Sequence, residues 1–380
     1  MDFELSEEQK MFQSMVRDFA LKELAPGAAQ RDDDSAFPGD AVKKMGELGI
    51  LGVSYPEKYG GSSGDSVQQA ILVEELSRVE AGVGTVYVGT VSLCGFPIYK
   101  FGSEEVKKKY LPSLLQGKKI GCFGLTEPGA GSDATAIQTS AKKEGNEYVL
   151  NGSKIFITNG KEADIITVFV TLDRSLRHRG IIALVLDSKT PGFSVGKKEH
   201  KLGIRCSSTT ELIFENCRIP AGNLLSEEGK GFNVAIETID SSRTAVAAQA
   251  LGIAQGAFDA ALQFSRDRQQ FGQPISGFQA IQWMLADMAT HIEAARLLTY
   301  QAANLKDHGK SYVKQSAMAK LFASEAATTI ASKAVQIHGG YGYVKDYPVE
   351  RYYRDAKITE IYEGTSEMQR MTIARHLLRG

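Results

Sequence analysis

Phe12, Met15, Phe19 and Leu24 recur at helical spacing behind "SEEQ" (Ser6 to Gln9), which has the form of a capping box, a hydroxyl at the N-cap and an amide three residues on. The same period predicts helices over 39–48, 67–78, 84–99 and 104–115, parted by Gly- and Pro-bearing breaks such as "YPEKYGGSSGD". Around Gly117 the period changes. "SAKKEGNEYVLNGSKIFITNG" alternates polar and apolar residues around Gly and Asn turns, and "DIITVFVTL", "GIIALVLDS" and "TTELIFENCRIP" are β-branched strand candidates. After "EEGKGF" the helical period returns in an Ala-rich, Pro-free run of about ten turns, followed by helices over 278–308 and 312–338 and a terminal one. The pattern predicts an α+β protein of three units: a helical unit at 1–116, a compact antiparallel β unit (barrel or sandwich) at 117–222, and a helical bundle at 223–380.

Composition narrows the partners. The 380 residues carry 44 basic and 45 acidic side chains, so neither nucleic acid nor an anionic membrane is favoured by charge. Cys94, Cys122, Cys206 and Cys217 are scattered without CxxC spacing, which fits reduced thiols in a cytosolic-type compartment, and the six histidines show no zinc-binding spacing. No apolar run approaches the ~20 residues of a membrane helix, so no membrane insertion is expected. The acidic start "MDFELSEEQK" resembles neither a signal nor a transit peptide, which points to a cytoplasmic chain, or a mitochondrial matrix one whose transit peptide has been removed.

Two stretches carry candidate chemistry. "GLTEPGAGSDA" contains Gly129-x-Gly131-x-x-Ala134, but Pro128 before it and hairpin sequence after it argue against a dinucleotide fingerprint. A loop so small and polar still lets backbone N–H groups and hydroxyls touch a flat or anionic ligand. In "KITEIYEGTSEMQR", Glu363 is followed directly by Gly364, a place where backbone can break and approach a ligand closely.

Together with "NGSKIFITNG", "DSSR", "RDRQQFGQPI", "FQAIQ", "QIHGGYGY" and "RYYRDAKI", these segments resemble the acyl-CoA dehydrogenase family across essentially the whole chain and in the family's order. The resemblance implies FAD as cofactor, with Phe123, Leu125, Thr126, Gly131 and Ser132 of the glycine-rich loop lining it and Ser132 also meeting the acyl-CoA. Phe156, Ile157 and Thr158 would lie along the flavin ring; many relatives have Trp where this chain has Phe156. Arg268, Phe271, Gln279, Gln336, Ile337, Gly339 and Gly340 match further FAD contacts, some reaching across from a neighbouring subunit. Thr365 and Glu367 match others, although relatives often have Gln at the latter position. Asp240 and Arg243 match contacts to the CoA portion. Glu363 matches the catalytic base, a role that a few members instead place at the position of Ser242.

The implied reaction is α,β-dehydrogenation of an acyl-CoA to the trans-2-enoyl-CoA, with Glu363 taking the α-proton, Gly364 beside it at the substrate, and electrons leaving to electron-transferring flavoprotein from a homotetramer. "VAAQALGIAQ" is similar to short-chain, butyryl-CoA-type members, and Gln249 within it would close the pocket floor, favouring C4–C6 acyl groups; the same amide could serve only helix packing. Branched, cyclic or dicarboxylic acyl-CoAs remain alternatives, though "AGVGTVYVGTVSL" offers no Arg or Lys for a distal carboxylate. An acyl-CoA oxidase would share the fold.

Overall fold

In this computed structural model, which describes residues 4–378, the polar group expected to open the first helix does so. Ser6 Oγ accepts from Gln9 N at 3.2 Å and Gln9 Oε1 from Ser6 N at 3.1 Å, closing the capping box at the start of α1 (Glu7–Phe19). The outermost residues of the first and last predicted units, 1–3 and 379–380, lie outside the described residues. Phe19 and Leu24 turn inward as the period predicts, with Phe12 partly buried, but Met15 stays exposed and Val16 takes the inward place. Both fit a 3.6-residue stripe, and packing against the helix Ser66–Val79 selects the one four residues after Phe12.

The N-terminal helices continue as α2 (Ala28–Asp34), α3 (Gly39–Glu47), α4 (Ser66–Val79), α5 (Ala81–Tyr87), α6 (Phe96–Phe101) and α7 (Glu104–Leu115). The predicted helix at 84–99 is longer and irregular: α5 and α6 are joined by a π-helical segment, Val88–Gly95, into one rod. Ala81–Phe101 and Gly231–Asp267 are long and apolar enough to cross a membrane by length and composition, which corrects the expectation that no run approaches that length. Their most apolar windows are 89% and 72% buried inside the protein, so packing has already claimed those faces.

The β unit comprises β1 (Gly121–Gly124), β2 (Ser140–Glu144), β3 (Glu147–Thr158), β4 (Ile165–Thr171), β5 (Ile181–Asp187), β6 (Phe193–Lys198), β7 (Thr209–Pro220) and β8 (Leu224–Leu225). They form one sheet in the order β6-β7-β3-β2-β4-β5-β8, with β1 also on β4. The sheet is mixed rather than purely antiparallel, because β1 pairs with β4 in parallel and β2 meets β4 in parallel at Ser140 and Thr171. The turn expected at Gly145-Asn146 joins β2 to β3. Asn151-Gly152 is not a turn: β3 runs through it, with a register shift between Leu150 and Gly152, and a Cβ at Gly152 would come within 2.8 Å of Thr139.

The C-terminal unit is built from α8 (Gly231–Asp267), the short ribbon β9 (Gln269–Gln270) and β10 (Gln273–Pro274), α9 (Gln279–Asp307), α10 (Val313–His338), α11 (Val349–Ala356) and α12 (Ser366–Leu378). Small residues let α8 serve two neighbours. A Cβ at Gly252 or Gly256 would come within 2.3 Å of Glu74 O or Arg78 O, so α4 lies almost backbone to backbone on α8. Its other side packs on α10 through Ala250, Ala254 and Ala257. Glu74, buried on α4, accepts from Arg296 Nη2 at 2.9 Å and Tyr300 Oη at 2.6 Å of α9, which ties the first unit to the last.

Candidate active site

Glu363 stands in a turn between the 3-10 segment Lys357–Glu360 and α12, at φ 52°, a left-handed backbone that costs a non-glycine residue about 1–2 kcal/mol. Gly364 follows at φ 94°, where an added Cβ would sit 2.7 Å from Gln369 Nε2. Only glycine fits there. The turn is held from behind: Gly364 O accepts from Lys320 Nζ of α10 and from Gln369 Nε2 of α12, each at 2.8 Å.

The carboxyl of Glu363 points at α8, where Ser242 Oγ donates to its Oε2. Burial pushes Glu363 up to about 7; the Ser242 hydrogen bond and the nearby Lys320 and Arg243 charges pull the other way. Part of the residue's surface stays open, so it is enclosed without being sealed. Ser242 and Glu363, the two positions that the resemblance offered for a base, are thus brought into contact. Arg243, one residue on, is ion-paired with Asp240, and both are mostly buried, as the shared face of one helical turn requires. Arg243 Nε is buried without a partner among the described residues, as are Ser366 Oγ and Gln369 Oε1 beside the turn.

Tyr362 Oη donates to Gln249 Oε1, and the amide's Nε2 donates to Thr85 Oγ1 at 2.6 Å and Ala81 O at 3.0 Å. Gln249 is fully buried and bridges the residue before Glu363 to the first turn of α5. These bonds show the packing role of the amide, which ties α8 to α5 and to the turn.

The glycine-rich loop leaves β1 with Phe123 packed on Phe169, centroids 4.8 Å apart, and Leu125 buried. Thr126 O accepts from Ile155 N at 2.9 Å, which binds the loop to β3. Beneath it lies an ion pair that sequence reasoning missed. Lys154 Nζ, with no exposed surface, donates to Glu127 Oε1 at 2.6 Å and Leu125 O at 3.2 Å, while Glu127 also accepts from Thr139 N at 3.0 Å and from Gln138 N. Desolvation lowers Lys154 to about 8 even so. The signal was present: Lys154 falls on the inward phase of a strand whose other inward residues are apolar. Above the pair, Gly131 and Ser132 are exposed, and a Cβ on Gly129 or Gly131 would meet nothing within 4 Å.

Phe156 is the unusual residue of β3. The register shifts between Lys154 and Ile157, Phe156 takes φ 57°, and its ring is 61% exposed while Ile157 beside it is buried. Asn159, just past Thr158, fixes this end of the strand: its buried Nδ2 donates to Val86 O, Thr90 Oγ1 and Gly121 O at 3.1–3.2 Å. A strained aromatic held out over open space is a surface for a flat ligand.

The remaining candidates gather elsewhere. A cleft of about 730 Å³ between the end of α8 and the end of α10 is lined by Arg268, Ile337, His338, Gly339 and Gly340, among others. Gly339 has φ 60°, and an added Cβ on it or on Gly340 would meet nothing. Phe271, 93% exposed, and Gln279 and Gln336 are not in that lining. Neither Glu363 nor the glycine-rich loop lines this cleft, so one chain carries two separate groups of candidate residues. Thr365 Oγ1 accepts from Met368 N at 3.4 Å at the head of α12, and Glu367 is exposed, its carboxyl held below the usual range by Thr365.

Models of the acyl-CoA dehydrogenase N-terminal, middle and C-terminal domains match residues 6–118, 122–217 and 229–378. The mitochondrial short-chain specific acyl-CoA dehydrogenase of Rattus norvegicus is 53% identical over 376 residues, 99% of this chain and 91% of the relative. Butyryl-CoA dehydrogenase from Megasphaera elsdenii superposes with a TM-score of 0.98 at 49% identity, each chain covered fully. A chain from a structure of the electron transferring flavoprotein of Acidaminococcus fermentans, studied for flavin-based electron bifurcation, superposes at 0.99 with 53% identity, again over both full chains.

Proposed function

The chain belongs to the acyl-CoA dehydrogenase family, and we propose that it converts a short-chain acyl-CoA, C4–C6, to the trans-2-enoyl-CoA with Glu363 as the base. The observation that carries this reading is the half-buried Glu363 carboxyl, raised to about 7, on a turn that Lys320 and Gln369 hold and Ser242 meets from α8.

The residues present fit FAD. Space is open where side chains would stand at Gly129, Gly131, Gly339 and Gly340, Phe156 presents its ring, and Ser366 Oγ and Gln369 Oε1 are buried without partners among the described residues. Phe123, Leu125, Thr126, Gly131, Ser132, Phe156, Ile157, Thr158, Thr365 and Glu367 would hold it from one chain, and Arg268, Phe271, Gln279, Gln336, Ile337, Gly339 and Gly340 from a neighbour. When bound, FAD supplies the acceptor for the β-hydride at N5.

The protein's share is proton chemistry and placement. An α-proton beside a thioester is far too weak an acid for an ordinary aqueous carboxylate. Raising Glu363 toward neutrality makes the ionised form a stronger base while leaving it populated at pH 7. Ser242 Oγ fixes the direction in which the carboxylate faces, so little reorganisation remains for the transfer step. The left-handed turn would bring the backbone N–H of Glu363 to the thioester oxygen, where a preorganised donor is worth roughly 3–4 kcal/mol against the enolate. Arg243 with Asp240, and Ser132, would position the CoA portion, and Gln249 would close the far end of the acyl pocket.

Electron-transferring flavoprotein is the proposed oxidant and a homotetramer the proposed assembly; the broadly exposed Phe271, Trp283 and Tyr343 support burial against further copies. The four thiols are all free and buried, which supports a reducing compartment, cytoplasm or mitochondrial matrix. Anaerobic titration of the purified yellow protein with acyl-CoAs from butyryl to palmitoyl tests the reading. Bleaching greatest with butyryl- or hexanoyl-CoA is expected. A maximum at C12 or beyond rules out the short-chain assignment, and peroxide formed in air marks an oxidase instead.

A further inference from the structure

Lys320 has no exposed surface, and it lies about two turns into α10 among Ser316, Ala317, Ala319, Ala323 and Ser324. A methionine would fill that space without the desolvation cost of a buried ammonium. The side chain instead reaches out of the helix and donates to Gly364 O at 2.8 Å, directly behind the base.

We propose that Lys320 is a positioning residue for Glu363, its ammonium both pinning the left-handed Glu363–Gly364 turn and supplying the positive charge that keeps the base ionised. This rests on the reading of Glu363 as the base. Two observations separate the ammonium from a mere strut. Gln369 Nε2 already donates to the same carbonyl at 2.8 Å, so the turn does not need a charge to be held. The charge also acts on the carboxyl itself: Lys320 pulls Glu363 down, and Glu363 pulls Lys320 up, against a burial that leaves the ammonium at about 8.

The surrounding charges leave that coupling intact. From α8, Glu363 faces Ser242 and Arg243, and Arg243 is engaged by Asp240. From its own turn it faces Tyr362, whose hydroxyl is committed to Gln249. Glu360 and Glu367 also act on Lys320, but Glu360 is paired with Lys357 at 2.6 Å and Glu367 stands in solvent on α12. Arg243 acts on both groups, pulling Glu363 and Lys320 down, but its guanidinium is shared with Asp240, and Lys320 is the second buried cation on the base.

The test reads protonation in the holoenzyme without substrate. The infrared band of the protonated Glu363 carboxyl, assigned by its absence in Glu363→Gln, is titrated in the unmodified enzyme, in Lys320→Met and in Gln369→Leu. Lys320→Met should move the midpoint upward by about one pH unit or more, with the acidic limb of kcat/KM for butyryl-CoA moving alongside it. Gln369→Leu should lower kcat with the midpoint in place, and Lys320→Arg should keep the midpoint near that of the unmodified enzyme. Coupling is reciprocal. Should Lys320→Met not fold, the nitrogen resonance of Lys320 in otherwise native enzyme should titrate to lower pH in Glu363→Gln. An unmoved Glu363 midpoint in folded Lys320→Met, or an unmoved Lys320 resonance in Glu363→Gln, overturns the proposal. Because these readouts need no turnover, they stand apart from failure of the unmodified enzyme to oxidise butyryl-CoA, which would sink the underlying reading instead.

Discussion

Replacing Gln249 with alanine should lengthen the acyl chain that the enzyme prefers. The side chain is wholly buried and its amide is engaged at both ends, by Tyr362 Oη on one and by Thr85 Oγ1 and Ala81 O on the other. Truncation to Cβ frees room for two to three methylenes, each worth about 0.8 kcal/mol when buried, or roughly 2 kcal/mol in all. Against this, the Tyr362 hydroxyl loses its partner, at about 1 kcal/mol when left dry, while Thr85 Oγ1 keeps its bond to Ala81 O at 3.1 Å. A butyryl group leaves the space to water, which can meet the Tyr362 hydroxyl; an octanoyl group fills it and leaves that hydroxyl dry. The longer chain therefore keeps only part of its gain, about 1 kcal/mol, which is about a fivefold change at 1.4 kcal/mol per decade. The ratio of kcat/KM for octanoyl-CoA to that for butyryl-CoA should rise by about that factor, with butyryl-CoA turnover itself reduced. Steady-state rates across a chain-length series read this directly. A folded, flavin-loaded variant with an unchanged ratio would show that Gln249 only packs α8 against α5.

Glu363→Gln should bind butyryl-CoA yet reduce its flavin at least about a thousandfold more slowly in single turnover. In the unmodified enzyme kcat/KM should climb about tenfold per pH unit and level off near pH 7, where the base is ionised. The same raised value has a stability sign. A carboxyl that is harder to ionise folded than unfolded contributes fully below its unfolded value near 4.5 and loses that contribution as pH rises through about 7, so thermal melts of Glu363→Gln should exceed those of the parent above neutrality and converge with them in acid. Lys154→Met should cost about 3 kcal/mol in urea denaturation, while Lys154→Met with Glu127→Gln should recover part of it, because the first leaves a buried carboxylate with only backbone donors. Phe156→Ala should retain the fold and shed FAD faster on gel filtration, since the ring is largely exposed in the chain alone and owes little to the core.

Helices were legible wherever one face repeats, and α7 has the predicted span of 104–115. Strand partners were not. β1 is four residues long and pairs in parallel with β4 some forty positions on, and no local period carries that information. At the site, Glu363 and Gly364 could be singled out from their motif, and the structure adds the positive φ values that explain the pairing. Lys320 escaped because a lysine in a helical pattern reads as solvated; the inward phase of β3 marks Lys154 as buried, but its partner Glu127 appears only in the fold. Ser242 was noticed as an alternative position for the base; that it touches Glu363 needed α8 and the turn in one frame.

Between Val88 and Gly95 the helical rod bonds five residues back, as where Phe96 N reaches Val91 O, so its turns hold more residues than α-turns do. Wound at ordinary α geometry, the same eight residues would turn further about the axis than they do here. Everything upstream would then be rotated around that axis. Thr85 would leave Gln249 and Val86 would leave Asn159 in the same motion, so the backing of the base and the anchoring of the exposed aromatic depend on the winding of this one segment.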